Sequence, residues 1–139
     1  MIAVLDANLL ARGALNRTTA ISAILDAWRA KAFTLAISTH LMAETARALQ
    51  KRYFAQRIVR ADRLAYYELL YTDATLVPIT VEVEGVATHP EDDLVLATAL
   101  SASADYLVTR DRKLLDLGSY HGVTILSPTG FLQVIGTQP

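Results

Sequence analysis

The chain has no cysteine, which excludes disulfides, thiolate catalysis and any zinc or iron site built on Cys ligands. Proline and glycine are scarce, at 4 and 6 of 139 residues, and no internal repeat, low-complexity tract or linker interrupts the sequence. An excess of one charge is missing too. The 13 Lys and Arg against 14 Asp and Glu leave a net charge of −1, without the global basic field of a duplex-coating protein. Any nucleic-acid contact must therefore come from a local patch. No uncharged apolar run approaches the roughly 18 residues of a membrane span. The opening "MIAVLDANLL" has no basic stretch ahead of its apolar run, so it reads as a buried strand and not as a signal peptide. Gly-x-Gly-x-x-Gly, P-loop and Gly-x-Ser-x-Gly patterns are absent, which removes most nucleotide-binding readings and disfavours a serine hydrolase. The expectation is a soluble, cytoplasmic protein with one domain spanning residues 1–139 and no membrane segment.

What is present is aliphatic surface. Hydrophobic residues make up 53% of the chain, enough at this length for a sizeable core. Short β-branched runs, "IAVL" (2–5), "FTLAI" (33–37), "ATLVPI" (74–79), "DYLVT" (105–109) and "VTIL" (123–126), predict strands. Between them, Ile21, Ile24, Leu25 and Trp28 lie at helical spacing, with Thr18 or Thr19 as N-cap. Ser38 or Thr39 caps a second helix with Leu41, Ala46 and Leu49 inward, and a third runs over roughly 57–71. Pro90, which needs no amide donor at a first helical position, opens a helix over 90–102. Residues 114–117 make a helical turn, and Ser127 with Pro128 starts a terminal helix. Residues 7–18 around Gly13 read as a loop, 80–88 as a loop or a helix start, and Gly118 and Gly122 flank a turn. Strands that are unbroken aliphatic runs, alternating with helices, predict an α/β fold: a parallel sheet of four or five strands with helices on both faces.

Ligands of open parallel sheets bind beyond the carboxyl ends of the strands. Asp6 ends the first strand, Asp111 follows "YLVT", Glu44 lies in the second turn of the helix leaving strand 2, and Asp92 and Asp93 sit in the first turn of the Pro90 helix. Each has a bland reading. Asp92 and Asp93 meet the positive end of a helix dipole, Asp111 can sit in a solvated turn, and Glu44 can pair with Arg47 or Lys51. Asp6 resists one, because it closes an apolar strand in mid-sheet, where an uncompensated charge is expensive. Several carboxylates at one edge repel one another unless a cation is present. Mg²⁺ or Mn²⁺, hard cations that prefer oxygen ligands, would compensate them, orient and deprotonate a water, and offset the charge that builds on a phosphodiester during hydrolysis.

The blocks "AVLDANLL", "ISTHLMAETARAL", "DDLVLATALSASADYLVTRDRKLLDLG" and "VTILSPTGFL" resemble, in order and spacing, those of the PIN-domain family. The resemblance covers nearly the whole chain and is nearest the small prokaryotic members, including VapC-like toxins. It implies a PIN-like fold and a Mg²⁺- or Mn²⁺-dependent ribonuclease whose acids are Asp6, Glu44, Asp93 and Asp111. Asp93 is taken because it stands four residues before Ala97, and Asp92 is left as a supporting neighbour. Asn8 and Thr109 match positions that orient water or the acids. Position 7, often a hydroxyl residue in these proteins, is Ala7.

Arg12, Arg110 and Arg112 follow these acids and are the candidate substrate-phosphate contacts. Arg47, Lys51, Arg52, Arg57, Arg60 and Arg63 read first as a solvated face. Interleaved with Tyr53 and Phe54, they can alternatively steer single-stranded RNA. His40, His89 and His121 lack zinc-motif spacing. Tyr66, Tyr67, Leu70 and Tyr71 exceed what one face needs and predict a homodimer or antitoxin surface. The expected function is that of a metal-dependent endoribonuclease acting on RNA, the toxin half of a pair with a cognate antitoxin protein. The alternative is a non-cleaving PIN-like scaffold that binds RNA or protein.

Overall fold

A computed structural model describes residues 1–136. Six strands form one sheet: β1 (Ile2–Leu5), β2 (Thr34–Ile37), β3 (Thr75–Leu76), β4 (Tyr106–Val108), β5 (Ser119–Tyr120) and β6 (Val123–Leu126). Their spatial order is β3-β2-β1-β4-β6-β5, parallel throughout except for the antiparallel β5–β6 pair. In central β1, the consecutive residues Ala3, Val4 and Leu5 are all fully buried. Successive side chains point to opposite faces, so both faces of the sheet are covered, as the unbroken aliphatic runs require.

Eight helices lie among the described residues: α1 (Ala7–Gly13), α2 (Ala20–Arg29), α3 (Thr39–Gln50), α4 (Arg52–Ala55), α5 (Arg60–Asp73), α6 (Pro90–Ser101), α7 (Arg112–Leu117) and α8 (Pro128–Gly136). Thr19 and Ser22 form a reciprocal capping box at α2. Ser38 Oγ accepts from Leu41 N to cap α3 and also meets Thr98 Oγ1 of α6 at 2.8 Å, a buried bond that pins α3 to α6. Helix α6 packs against β1, β2 and β4 with Val95, Leu96, Ala97 and Ala99 almost wholly buried. Each fully buried Val or Leu there contributes about 1.5–3 kcal/mol, which fixes the helix's rotation and hence where its acids point.

Four expectations needed correction. Six strands form, not four or five, because the turn at His121 (φ 46°) and Gly122 (φ 88°) makes a hairpin that adds β5 at the edge. Residues 7–13, expected as a loop, form α1. Asp6 caps it, and the helix ends at Gly13, where any Cβ would run into Leu25 and Tyr66. The helix expected over 57–71 begins at Arg60, with α4 as a separate turn before it. The tyrosine surface is smaller than expected. Leu70 is fully buried, Tyr66 donates its hydroxyl to Leu10 O at 2.6 Å, and of the large apolar side chains of α5 only Leu64 and Tyr71 stay largely exposed.

Candidate active site

Two backbone bonds continue the ladder just past the strands: Asp6 N donates to Val108 O (3.2 Å) and Thr109 N to Leu126 O (3.0 Å). They hold Asp6 and Thr109 at the carboxyl edge of the sheet, where the chain turns into α1 and α7. Asp6 Oδ1 accepts from Leu9 N (2.9 Å), capping α1, and its Oδ2 accepts from the Thr109 hydroxyl (2.7 Å). Thr109 Oγ1 in turn accepts from Asp111 N (3.0 Å). One fully buried threonine therefore ties the acid of β1 to the acid beyond β4.

Asp111 caps α7. Its Oδ1 accepts from Leu114 N (3.1 Å) and the Thr88 hydroxyl (3.0 Å), and its Oδ2 from Thr88 N (3.2 Å). Burial alone would raise its pKa, but the Leu114 and Thr88 hydrogen bonds hold it below the usual carboxylate value. Asp6 goes the other way. Burial pushes its pKa up and the Asp111 charge adds to that, against the hydrogen bonds from Thr109, Leu9 and Arg110. Asp92 is raised from 3.8 to about 7, first by burial, then by the negative charges of Asp6 and Asp111 and a hydrogen bond shared with Asp111.

Asp6, Asp92 and Asp111 line one cavity of about 590 Å³ together with Asn8, Thr88, His89, Phe54, Arg12, Arg110 and Arg112. Glu44 lines the adjoining cavity, which shares Asn8, His89 and Asp92 with the first, and it forms an ion pair with Arg47. That is the one ion pair among the described residues, so the three cavity arginines have no carboxylate partner there.

Asp93 is placed differently from the expectation. Its carboxylate accepts backbone N–H groups from Gly85 (3.0 Å), Val86 (3.0 Å) and Ala87 (2.7 Å), and it does not line the cavity of Asp6 and Asp111. Adjacent residues on a helix project about 100° apart, so only one of the pair can face the cleft. The buried aliphatic side of α6 gives that place to Asp92 and turns Asp93 to the 85–87 loop. Thr88 and Phe54 also reach the cavity without having been singled out as site residues by the sequence: Phe54 comes from α4, a distant segment, and Thr88, close to Asp92 in the chain, is placed by its bonds to Asp111. Of the histidines, His89 reaches the cleft. His40 has a buried Nε2 without a partner, and His121 packs edge-on to Tyr120.

The PIN domain family matches residues 3–113. This chain belongs to that family. Among solved structures, this PIN domain is similar to VapBC2 from Rickettsia felis bound to a promoter DNA fragment, at 16% identity and a TM-score of 0.61, covering 90% of this chain and 97% of the other. It is similar to PAE2754 from Pyrobaculum aerophilum at 19% identity and a TM-score of 0.56, covering 99% and 91%. FitAcB from Neisseria gonorrhoeae matches at 18% identity and a TM-score of 0.55, covering 93% and 99%. These likenesses concern the fold. No curated protein matches the sequence. PIN domains are generally nucleases and typically use divalent metals.

The donor set of this PIN domain suits such a metal in chemistry. It is all oxygen, and burial and the neighbouring carboxylate charges raise the pKa of Asp6 and Asp92, an effect a bound cation would offset. As placed, no three acidic or histidine side chains among the described residues converge on one ion. Thr88 bonds to both oxygens of Asp111, so those bonds compete with a cation for the lone pairs of that carboxylate.

Stability should respond to pH accordingly. With its pKa raised from 3.8 to about 7, folded Asp92 keeps a proton across a window in which the unfolded chain has lost it. Its effect is therefore to lower stability progressively as pH rises from about 4 to 7. Half-exposure screens the effect to roughly 1–2 kcal/mol. In chelator at pH 8, Asp92→Asn should raise the melting temperature by roughly 3–8 °C, and at pH 4 by almost nothing. Mg²⁺ or Mn²⁺ should stabilise the parent more at pH 8 than at pH 5. Melting curves that are flat in both metal and pH would remove the electrostatic account.

Proposed function

We propose that this PIN domain is a Mg²⁺- or Mn²⁺-dependent endoribonuclease, the toxin half of a toxin–antitoxin pair. The observation that carries this reading is one cavity holding Asp6, Asp92 and Asp111 beside three arginines free of ion pairs. Asp6, Asp92 and Asp111 would hold the metal, with Glu44 across the shared boundary as a further ligand. Bound there, the metal would supply a water activated at neutral pH and offset the charge on the phosphodiester. Thr109 donates to Asp6 Oδ2 and so leaves the remaining lone pairs of that carboxylate to the cation. Arg12, Arg110 and Arg112 bind the substrate's phosphates, and Asn8 orients water. Asp93 acts through the 85–88 loop as a positioning residue and not as a ligand.

A small cognate antitoxin is the proposed protein partner, a reading supported by the likeness to VapBC2. Leu64 and Tyr71, 52% and 73% exposed, are the proposed contacts of a homodimer. No helix among the described residues is long and apolar enough to cross a membrane. The non-cleaving scaffold keeps some support from the unconverged acids. Incubating an RNA pool with the parent and with Asp6→Asn, in Mn²⁺ and in chelator, separates the readings. Cleavage is expected only from the parent with Mn²⁺. Equal cleavage by both proteins would point to a contaminant and sink the assignment.

A further inference from the structure

Phe54 stands out in the acidic cavity. It lies in α4, half-buried against the small cluster of Ala11, Leu15, Ala48, Leu49 and Ile58, and the rest of it lines the cavity that holds Asp6, Asp92 and Asp111. Apolar aromatic surface lining a cavity of carboxylates gains nothing from water. Its neighbour Tyr53 is already engaged. The Arg57 guanidinium sits 3.9 Å above the Tyr53 ring, and Arg17 Nη1 donates to the Tyr53 hydroxyl at 3.3 Å. Tyr53 then meets Phe54 edge-to-face at 5.1 Å and 83°, a contact that favours this orientation of the two rings.

The cavity thus offers three chemistries together: carboxylates for a cation, guanidiniums for phosphate, and one aromatic ring for stacking. The geometry points to a base-stacking subsite in which Phe54 takes the face of one unpaired nucleobase beside the phosphodiester at Asp6, Asp92 and Asp111, while Arg12, Arg110 and Arg112 hold the flanking phosphates. The substrate is therefore a single-stranded stretch, because a base inside a duplex has both faces covered. The phenyl ring makes no hydrogen bonds, so the subsite tolerates any base. The subsite rests on the nuclease reading for its scissile bond but not for its binding.

Binding alone can test it, on the full chain carrying Asp6→Asn so that nothing is cleaved. Phe54→Leu keeps the apolar packing and removes the π face. It should weaken binding of a labelled single-stranded RNA roughly 5- to 100-fold in fluorescence anisotropy, with binding of a hairpin stem unchanged. Phe54→Trp should retain affinity, and the introduced indole should be quenched by single-stranded RNA but not by the same RNA with its bases removed. Single-stranded DNA of the same sequence should show the same dependence on Phe54, since both carry the stacking base. Equal binding of single-stranded RNA by Phe54→Leu and the parent, or an unquenched indole, overturns the subsite. If the parent cleaves while Phe54→Leu binds normally, the subsite falls and the nuclease reading stands. If binding depends on Phe54 but the parent never cleaves, the nuclease reading falls and the subsite stands.

Discussion

Asp92→Asn is expected to lower the proposed metal-dependent RNA cleavage by about 100-fold or more, whereas Asp93→Asn should keep it within about tenfold of the parent. The two residues are neighbours at the start of the same helix, yet their carboxylates have different surroundings. Asp92 shares a cavity and a hydrogen bond with Asp111 and feels the charge of Asp6. Replacing it by Asn preserves size and removes the negative charge a metal needs. Asp93 is bonded to three backbone amides. An Asn there can still accept from Val86 and Ala87 through one oxygen, so the loop stays near its place. Single-turnover cleavage at saturating Mn²⁺ measures both variants. The reverse order, with Asp93→Asn dead and Asp92→Asn active, would restore the assignment read from sequence and reject the one drawn from geometry.

Stability should rank the pair the opposite way. Asp93→Ala removes the acceptor of three N–H groups, one of them on a buried residue, and is expected to cost about 3–5 kcal/mol. Asp92→Ala removes a repelled acid and should cost little, or stabilise at neutral pH. Urea denaturation gives both numbers. Amide exchange adds a local readout, because Gly85, Val86 and Ala87 should lose protection in Asp93→Ala. Thr88 follows directly and holds both oxygens of Asp111, so loosening the loop also frees an acid of the cleft. An Asp93→Ala protein within about 1 kcal/mol of the parent would mean that the three bonds are replaced by water at no cost.

The sequence by itself determined the layer architecture and the edge on which the chemistry sits. The central strand is the run "IAVL", with no polar alternation, and such a run is stable only when helices cover both faces. Asp6 follows that run directly and Asp111 stands two residues beyond "YLVT", so their place at the carboxyl edge was fixed by chain order. Capping was legible for the same reason: Thr19, Ser38 and Ser127 each accept from the amide three residues on. Tertiary structure decided what depends on contacts between distant segments. Residues 7–13 carry no helical signal beyond Asp6, and they form α1 because Leu9, Leu10 and Ala11 are buried there. β5 exists because β6 offers it an edge. Asp92 and Asp93 are equivalent acids in the sequence. The packing of Val95, Leu96 and Ala99 sets the rotation of α6, and that rotation sends one carboxylate to Asp6 and Asp111 and the other to the 85–87 loop. Phe54 reaches the cavity across some forty residues of chain, a distance no local pattern encodes. Local hydrogen bonding and side-chain alternation act over a few residues and can be read in order along a chain. The direction of a helical side chain depends on what the far side of the helix is packed against, and only the folded chain supplies that.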